Sequence, residues 1–470
     1  MLTVMDSNPN WNCSGFCRRE FLRVGALGLG GLALPQWPAA SANASQKRAF
    51  VRDKAVVLLF LAGGPPQHET FDPKMTASSE IRSTTGEVST SLPGVTFGGD
   101  FTQMARRAHR LAVVRSYGSD NSGHSYDSTV TASNSLKAAA SAIYARLAGA
   151  THPETGMPSN AFFLPEAVQP GLKLGPAGGT GDQRTMVTPG SLGPAYEAFD
   201  PTGGSILTES MELRISQERF TDRRSLLQKL DSLRRRVDAT GLLDNAVSYQ
   251  QQAFDLITRG LSKAFDLSQE DRRTLERYDT RHVFKLAEWQ KYKNLARATN
   301  LLGHQLLMAR RVVEAGCGFV TVSDCGWDMH ADGSSAPGMT AMRPLGGQVD
   351  HAVSAFLDDV EERGLSDRIL LIITGEMGRS PVLNGNGGRD HWGSLTPLVF
   401  AGGGLNMGQV IGRSDQRGGE EATERYTPQH LMGTIMKTLF DVGQMRLDNG
   451  VPRDLDQIVS GSPRIDPLFA

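Results

Sequence analysis

Five short segments of this chain carry histidine or carboxylates, the side-chain chemistry of cation binding and of acid–base catalysis. They are His68-Glu69-Thr70 with Asp72; Asp120–Asp127, which holds Ser122, His124 and Ser125; Asp324–His330, which holds Asp328; Gly375–Pro381, which holds Glu376 and Arg379; and Arg389-Asp390-His391-Trp392. One histidine beside one carboxylate is usually a hydrogen-bonded pair. Five such segments brought to one place suit one or two hard-to-borderline divalent cations. Two ions would clamp the attacking and leaving oxygens of a phosphoryl or sulfuryl transfer. Arg379 and Arg389 are then the candidates to hold the anionic group. The competing reading is a buried salt-bridge network with no metal.

Each segment borders an apolar run of strand length. Ala55–Ala62 (AVVLLFLA), Leu111–Ser116, Phe319–Ser323, Ile369–Thr374 and Leu398–Ala401 are continuously apolar or nearly so, as in parallel-sheet strands buried on both faces. Val349, Val353, Phe356 and Val360 form a helical stripe ending before Gly364, which makes a strand–helix–strand unit. The expectation is an α/β three-layer sandwich with a mainly parallel central sheet. In such sheets ligands sit beyond the carboxyl ends of the strands, where four of the five segments begin; the fifth, 389–392, just precedes Leu398–Ala401.

Residues 151–207 are Gly- and Pro-rich and read as an irregular excursion. Residues 208–315 read as a helical insertion packed on the sheet domain. Its stripes are Leu226, Leu230, Leu233 and Val237, then Leu302, Leu306, Ala309 and Val313; Ser268 with Asp271 suggests a capping box and Gly316 a C-terminal cap.

The first 44 residues read as an address. Arg18-Arg19 with Phe21 and Leu22 precede the apolar, Gly-rich run Val24–Leu34, and Ala40-Ser41-Ala42 and Ala42-Asn43-Ala44 both fit a cleavage site. This is the pattern of a twin-arginine signal, whose export machinery passes folded protein to the periplasm or beyond. The run is too short to span a bilayer, so no integral membrane segment is expected after processing. Residues 45–470 then form the mature domain.

Composition narrows the function classes. Lys+Arg number 49 against Asp+Glu 50, which lacks the basic excess of a nucleic-acid binder. Of four cysteines, Cys13 and Cys17 leave with the signal, and a strand between Cys317 and Cys325 holds those two apart as thiols.

Several strings together resemble one family. They are Arg18-Arg19-Glu20-Phe21-Leu22, Gly63-Gly64-Pro65 through Thr70-Phe71-Asp72-Pro73-Lys74, and Ala309-Arg310-Arg311-Val312-Val313-Glu314-Ala315-Gly316. Gly326-Trp327-Asp328-x-His330, Gly375-Glu376-Met377-Gly378-Arg379-Ser380-Pro381, Gly388-Arg389-Asp390-His391-Trp392 and Gly408-x-Val410-Ile411-Gly412 complete the set. The chain resembles, along nearly its whole length, the exported family named domain of unknown function 1501, grouped with the alkaline phosphatase and sulfatase superfamily. That resemblance implies an α/β sandwich with a divalent metal site (Zn, Mn or Ca) at the strand ends. Where that superfamily ends its first strand in an acidic ligand, Gly63-Gly64 stand here. Its late Asp-His pair appears as Glu376-Met377, and the sulfatase signature is absent around 122–131. The ligand set left is Asp328, His330, Glu376, Asp390 and His391, with His68 and Asp72 substituting for the first ligand.

The leading expectation is an exported metal-dependent hydrolase of phosphate or sulfate esters, on an anionic small molecule or polymer. Ser122, Ser125 or Thr70 would supply a hydroxyl, or His124 would act as nucleophile or acid–base. The alternative is a non-catalytic binding or scaffold protein with the same fold. A metal-free serine hydrolase built on Gly123-His124-Ser125 lacks the final glycine of a nucleophile elbow.

Overall fold

A computed structural model describes residues 48–175, 182–202 and 261–469. The signal and Leu226–Val237 therefore lie outside the described residues. The strands are β1 (Ala55–Ala62), β2 (Glu87–Ser89), β3 (Thr96–Gly98), β4 (Leu111–Val114), β5 (Asn160–Phe163), β6 (Phe319–Cys325), β7 (Ile369–Thr374), β8 (Gly378–Arg379), β9 (His391–Trp392), β10 (Leu398–Gly402) and β11 (Gln409–Ile411). Seven make one sheet in the order β11-β4-β10-β7-β1-β6-β5. β1 runs parallel to both β6 and β7, in registers that place Val57 beside Val320 and Leu371.

The apolar runs are continuous because both faces of the sheet are covered. Val57, Leu59 and Leu61 point into one core with Leu302 and Leu306 of the helix Leu302–Glu314 and Val349, Val353 and Phe356 of the helix Met342–Glu362. Val56, Leu58 and Phe60 point the other way, toward Val130, Ile143, Leu431 and Ile435. Alternate residues of one strand thus serve two cores, the three-layer arrangement. Among the described residues, no helix is long and apolar enough to cross a membrane.

Two elements differ from the sequence expectation. Leu398–Gly402 is antiparallel to both its neighbours. A short apolar run carries no direction, and the reversal puts the residues before β10 at the carboxyl edge of the other strands. The excursion 151–207 also contains a strand, β5, at the sheet edge. Of the 208–315 insertion, the described part has short helices at Ser262–Phe265, Arg272–Tyr278 and Leu286–Trp289, then Leu302–Glu314, which belongs to a main layer. Asp271 itself caps Arg272–Tyr278 by accepting from the Thr274 N–H, and Gly316 follows the cap of Leu302–Glu314 at φ 110°.

The Ala309–Gly316 string has a packing role. Arg310 is buried and reaches Glu270 at 2.6 Å, Glu314 at 2.6 Å and Asp359 at 2.9 Å, joining the insertion to both layer helices. Without it Glu270 keeps Arg311 and Arg363 and Asp359 keeps Arg363, so Arg310→Ala removes buried charged hydrogen bonds without leaving a lone charge and should cost about 1.5–3 kcal/mol in a denaturant titration.

At the end of β6, Asp324 is buried, accepting from Trp327 Nε1 at 2.9 Å and Gln348 Nε2 at 3.2 Å. Burial pushes its carboxyl up to about 7, opposed in part by the Trp327 hydrogen bond. Between the unfolded value near 4 and about 7 the folded state holds more protons than the unfolded chain, so stability falls as pH rises through this window. Asp324→Asn should therefore gain melting temperature relative to wild type on going from pH 5 to pH 8; an unchanged difference between the two proteins would contradict this.

Candidate metal centre

The carboxyl edge of the sheet collects the polar segments. Asp328 and His330 follow β6, Glu376 follows β7, His124 lies on the connection after β4, and His391 stands ahead of the reversed β10. The ribbon β8–β9 pairs Arg379 directly with His391 and so joins two of the sequence strings. Gly63, at the end of β1, has φ 119°, and a Cβ there would lie 2.6 Å from the Asp328 nitrogen and 2.8 Å from the Trp327 carbonyl carbon. The missing side chain is what lets the Asp328 loop lie against β1.

One atom organises the cluster: Oδ1 of Asp328. His330 Nε2 lies 2.9 Å from it, His391 Nε2 3.2 Å, His124 Nε2 3.5 Å and Arg379 Nη2 2.6 Å. The opposite nitrogen of each imidazole meets an oxygen that only accepts. His124 Nδ1 is 3.0 Å from Glu376 Oε1, His330 Nδ1 is 3.0 Å from Asp390 Oδ1, and His391 Nδ1 is 3.1 Å from the Ser122 carbonyl. Nδ1 must therefore carry the hydrogen in all three rings. In the neutral form that leaves three Nε2 lone pairs facing one carboxylate oxygen, the way metal-binding histidines are oriented by their outer partners.

This donor set fits a cation. His330 Nε2 and His391 Nε2 approach to 2.8 Å, a contact that needs a proton or an ion between them. Neighbouring ligands of a tetrahedral zinc-like ion stand about 3.3 Å apart, within the spread of the distances above. His124, Asp328 and His391 offer atoms all within 4.8 Å of one another, with His330 adjoining Asp328 and His391. Without a cation, protons fill the same place. Burial opposes charge on His124, but its hydrogen bonds to Asp328 and Glu376 prevail and lift it to about 9. The Asp328 hydrogen bond likewise raises His330. Asp328, despite its burial, is held far below the usual carboxylate range by the three histidines and Arg379. Protons and a divalent ion thus compete for the same nitrogens.

The structure distributes the remaining candidates differently from the sequence expectation. Glu376 and Asp390 stand behind the histidines as orienting acceptors, and Glu376 also takes the Gly63 N–H at 2.9 Å. His68 turns its Nε2 to the Arg417 carbonyl at 2.7 Å, and Asp72 is engaged by Lys74, Arg115 and Ser414. Neither is among the residues around Asp328 Oδ1. Ser125 is exposed, with its carbonyl accepting from Asn121, and the buried Thr70 hydroxyl donates to the Pro66 carbonyl.

The two arginines expected to clamp an anion are fully buried and already saturated. Arg379 donates to the carbonyls of Gly63, Gly64, Trp327 and Arg389 as well as to Asp328. Arg389 donates to Glu69 and to the carbonyls of Ile81, Arg82, Ser380 and Pro381. Both are structural cations that hold loops in place. His351 is half-buried with its Nε2 at the Arg277 carbonyl, and its neighbour Asp350 caps the helix Thr102–Arg106. Cys317 and Cys325 are buried thiols.

Residues 53–452 match a sequence family described as "Protein of unknown function (DUF1501)". The chain belongs to the DUF1501 family. No curated protein matches it. Similar solved structures include the phosphonate monoester hydrolase SpPMH from Silicibacter pomeroyi, at 14% identity and TM-score 0.33 over 88% of this chain and 78% of that one. The PsFucS1 sulfatase from Pseudoalteromonas sp. is 12% identical, with TM-score 0.34 over 78% of this chain and 66% of that one. Likeness of that degree carries no argument about activity. The fold of this DUF1501 protein rests on its own strand order and its site on its own side chains.

The histidine geometry sets an expected outcome. Purified protein loaded with Zn²⁺ and desalted should retain metal by elemental analysis, and Asp328→Ala or His391→Ala should lose it. Asp390→Ala, which frees His330 Nδ1, should weaken binding about 10–100-fold.

Proposed function

We propose that this DUF1501 protein is an exported metal-dependent hydrolase of phosphate or sulfate esters. The observation that carries the reading is the convergence of three Nε2 lone pairs on Asp328 Oδ1, each ring fixed from behind by an oxygen acceptor. Asp328 and His391 would hold the ion together with His124, His330 or both. Imidazole-rich donors favour zinc and its neighbours over calcium. When bound, such an ion supplies an activated water and a Lewis acid.

The chain's own residues support hydrolysis by water. Neither Thr70 nor Ser125 offers its hydroxyl to the cluster, and Ser122 meets it through its carbonyl, which accepts from His391 Nδ1, so no serine or threonine hydroxyl of these three is hydrogen-bonded to the histidines as an activated nucleophile would be. His330 and His391 keep 21% and 24% of their side-chain surface exposed, so the cluster opens to solvent and a substrate can reach it. Arg379 fixes Asp328 from the closed side. Because Arg379 and Arg389 are saturated, the charge of an anionic substrate would be met by the ion itself. Delivery by the twin-arginine machinery, which passes folded protein, suits a site that must be loaded before export.

The test is turnover of a panel of phosphate monoesters, phosphate diesters and sulfate esters by Zn²⁺- and Mn²⁺-loaded protein. Activity on one of these classes should fall at least ~10²-fold in Asp328→Ala and His391→Ala. Metal-loaded protein that turns over none of them would leave the binding or scaffold function in its place. For export, Arg18→Lys with Arg19→Lys should retain the chain in the cytoplasm on cell fractionation.

A further inference from the structure

We propose that Asn294 sets the metal preference of the site by restricting Asp328 to one-oxygen ligation, an inference that rests on the metal-site reading above. Asn294 Nδ2 donates to Asp328 Oδ2 at 2.7 Å and to the Asp328 carbonyl at 3.2 Å. Its own N–H is tied to the Ser334 carbonyl at 2.8 Å, and the next residue, Leu295, is buried in the core. The amide is thus clamped onto Oδ2 while Oδ1 faces the histidines and Arg379. The two oxygens of one carboxylate have separate partners.

That division matters because ions differ in what they ask of a carboxylate. A zinc-like ion among imidazoles takes one oxygen at about 2.0–2.2 Å. Calcium gathers roughly six to eight oxygens and commonly uses both oxygens of a carboxylate. A clamped Oδ2 withholds the second oxygen. The residue must be a donor: an aspartate at 294 would repel Asp328 and release its Oδ2, opening the site toward calcium. Along the sequence Asn294 lies within the 208–315 insertion, between the helices Leu286–Trp289 and Leu302–Glu314, and outside the five polar segments. It touches neither the ion nor a reacting atom and is a positioning residue.

The experiment uses the full mature chain, stripped with chelator and titrated separately with Zn²⁺ and Ca²⁺ by calorimetry, in wild type, Asn294→Ala and Asn294→Asp. Asn294→Ala should lower Zn²⁺ affinity about 10–100-fold with less effect on Ca²⁺. Asn294→Asp should raise Ca²⁺ affinity, so the Zn/Ca ratio falls at least ~10-fold in both variants. Melting temperatures near wild type would show that both variants fold; should Asn294→Asp fail to fold, the ratio in Asn294→Ala decides. Wild-type protein that binds Zn²⁺ with a ratio unchanged by the variants, or with both affinities falling together, overturns the role of Asn294 alone. Wild-type protein that binds no Zn²⁺ overturns this proposal together with the metal-site reading.

Discussion

Oxygen has room for about two hydrogen bonds, yet Oδ1 of Asp328 is approached by three imidazole nitrogens and a guanidinium. That crowding is the constraint on which the carboxyl edge of the sheet depends. It requires positive charge at one point, and the surrounding residues are arranged to keep it there. Glu376, Asp390 and the Ser122 carbonyl fix the rings from behind, while the saturated guanidinium of Arg379 holds Asp328 from the closed side. The carboxylates Asp328, Glu376 and Asp390 outnumber the guanidinium of Arg379, a balance that a divalent ion completes.

Residue types at strand ends were legible in the sequence because the strands themselves were. An unbroken run such as AVVLLFLA admits few readings in a chain with helical stripes around it, and the frame followed. Direction was not legible. Leu398–Gly402 looks like its parallel neighbours, since burial on both faces imposes the same composition whichever way a strand runs. The strand β5 was hidden among glycines and prolines because four residues are too few to show a period.

At the site, sequence supplied the identities but not the division of labour between holding an ion and holding a holder. Glu376 and Asp390 are as capable of ligation as Asp328, and only their position behind the rings distinguishes them. Arg379 and Arg389 have the chemistry of an anion clamp, but their donors are spent on backbone carbonyls that no side-chain motif reveals. The contributions of the Gly63 N–H and the Ser122 carbonyl were unreadable for the same reason. Asn294 escaped notice because it comes from a stretch with no chemistry of its own.

The position of β1 in the sheet also governs when the protein can exist. Its hydrogen-bonding neighbours, β6 and β7, start at residues 319 and 369. The first long strand to leave the ribosome therefore waits for residue 374 before both its edges are paired. At roughly 5–20 residues per second that wait lasts roughly 15–60 s. During it an eight-residue apolar segment without charge or proline stands unpaired, the composition most inclined to associate with other chains. The centre of the finished sheet is thus the chain's point of greatest exposure during synthesis, where a chaperone would have most to protect.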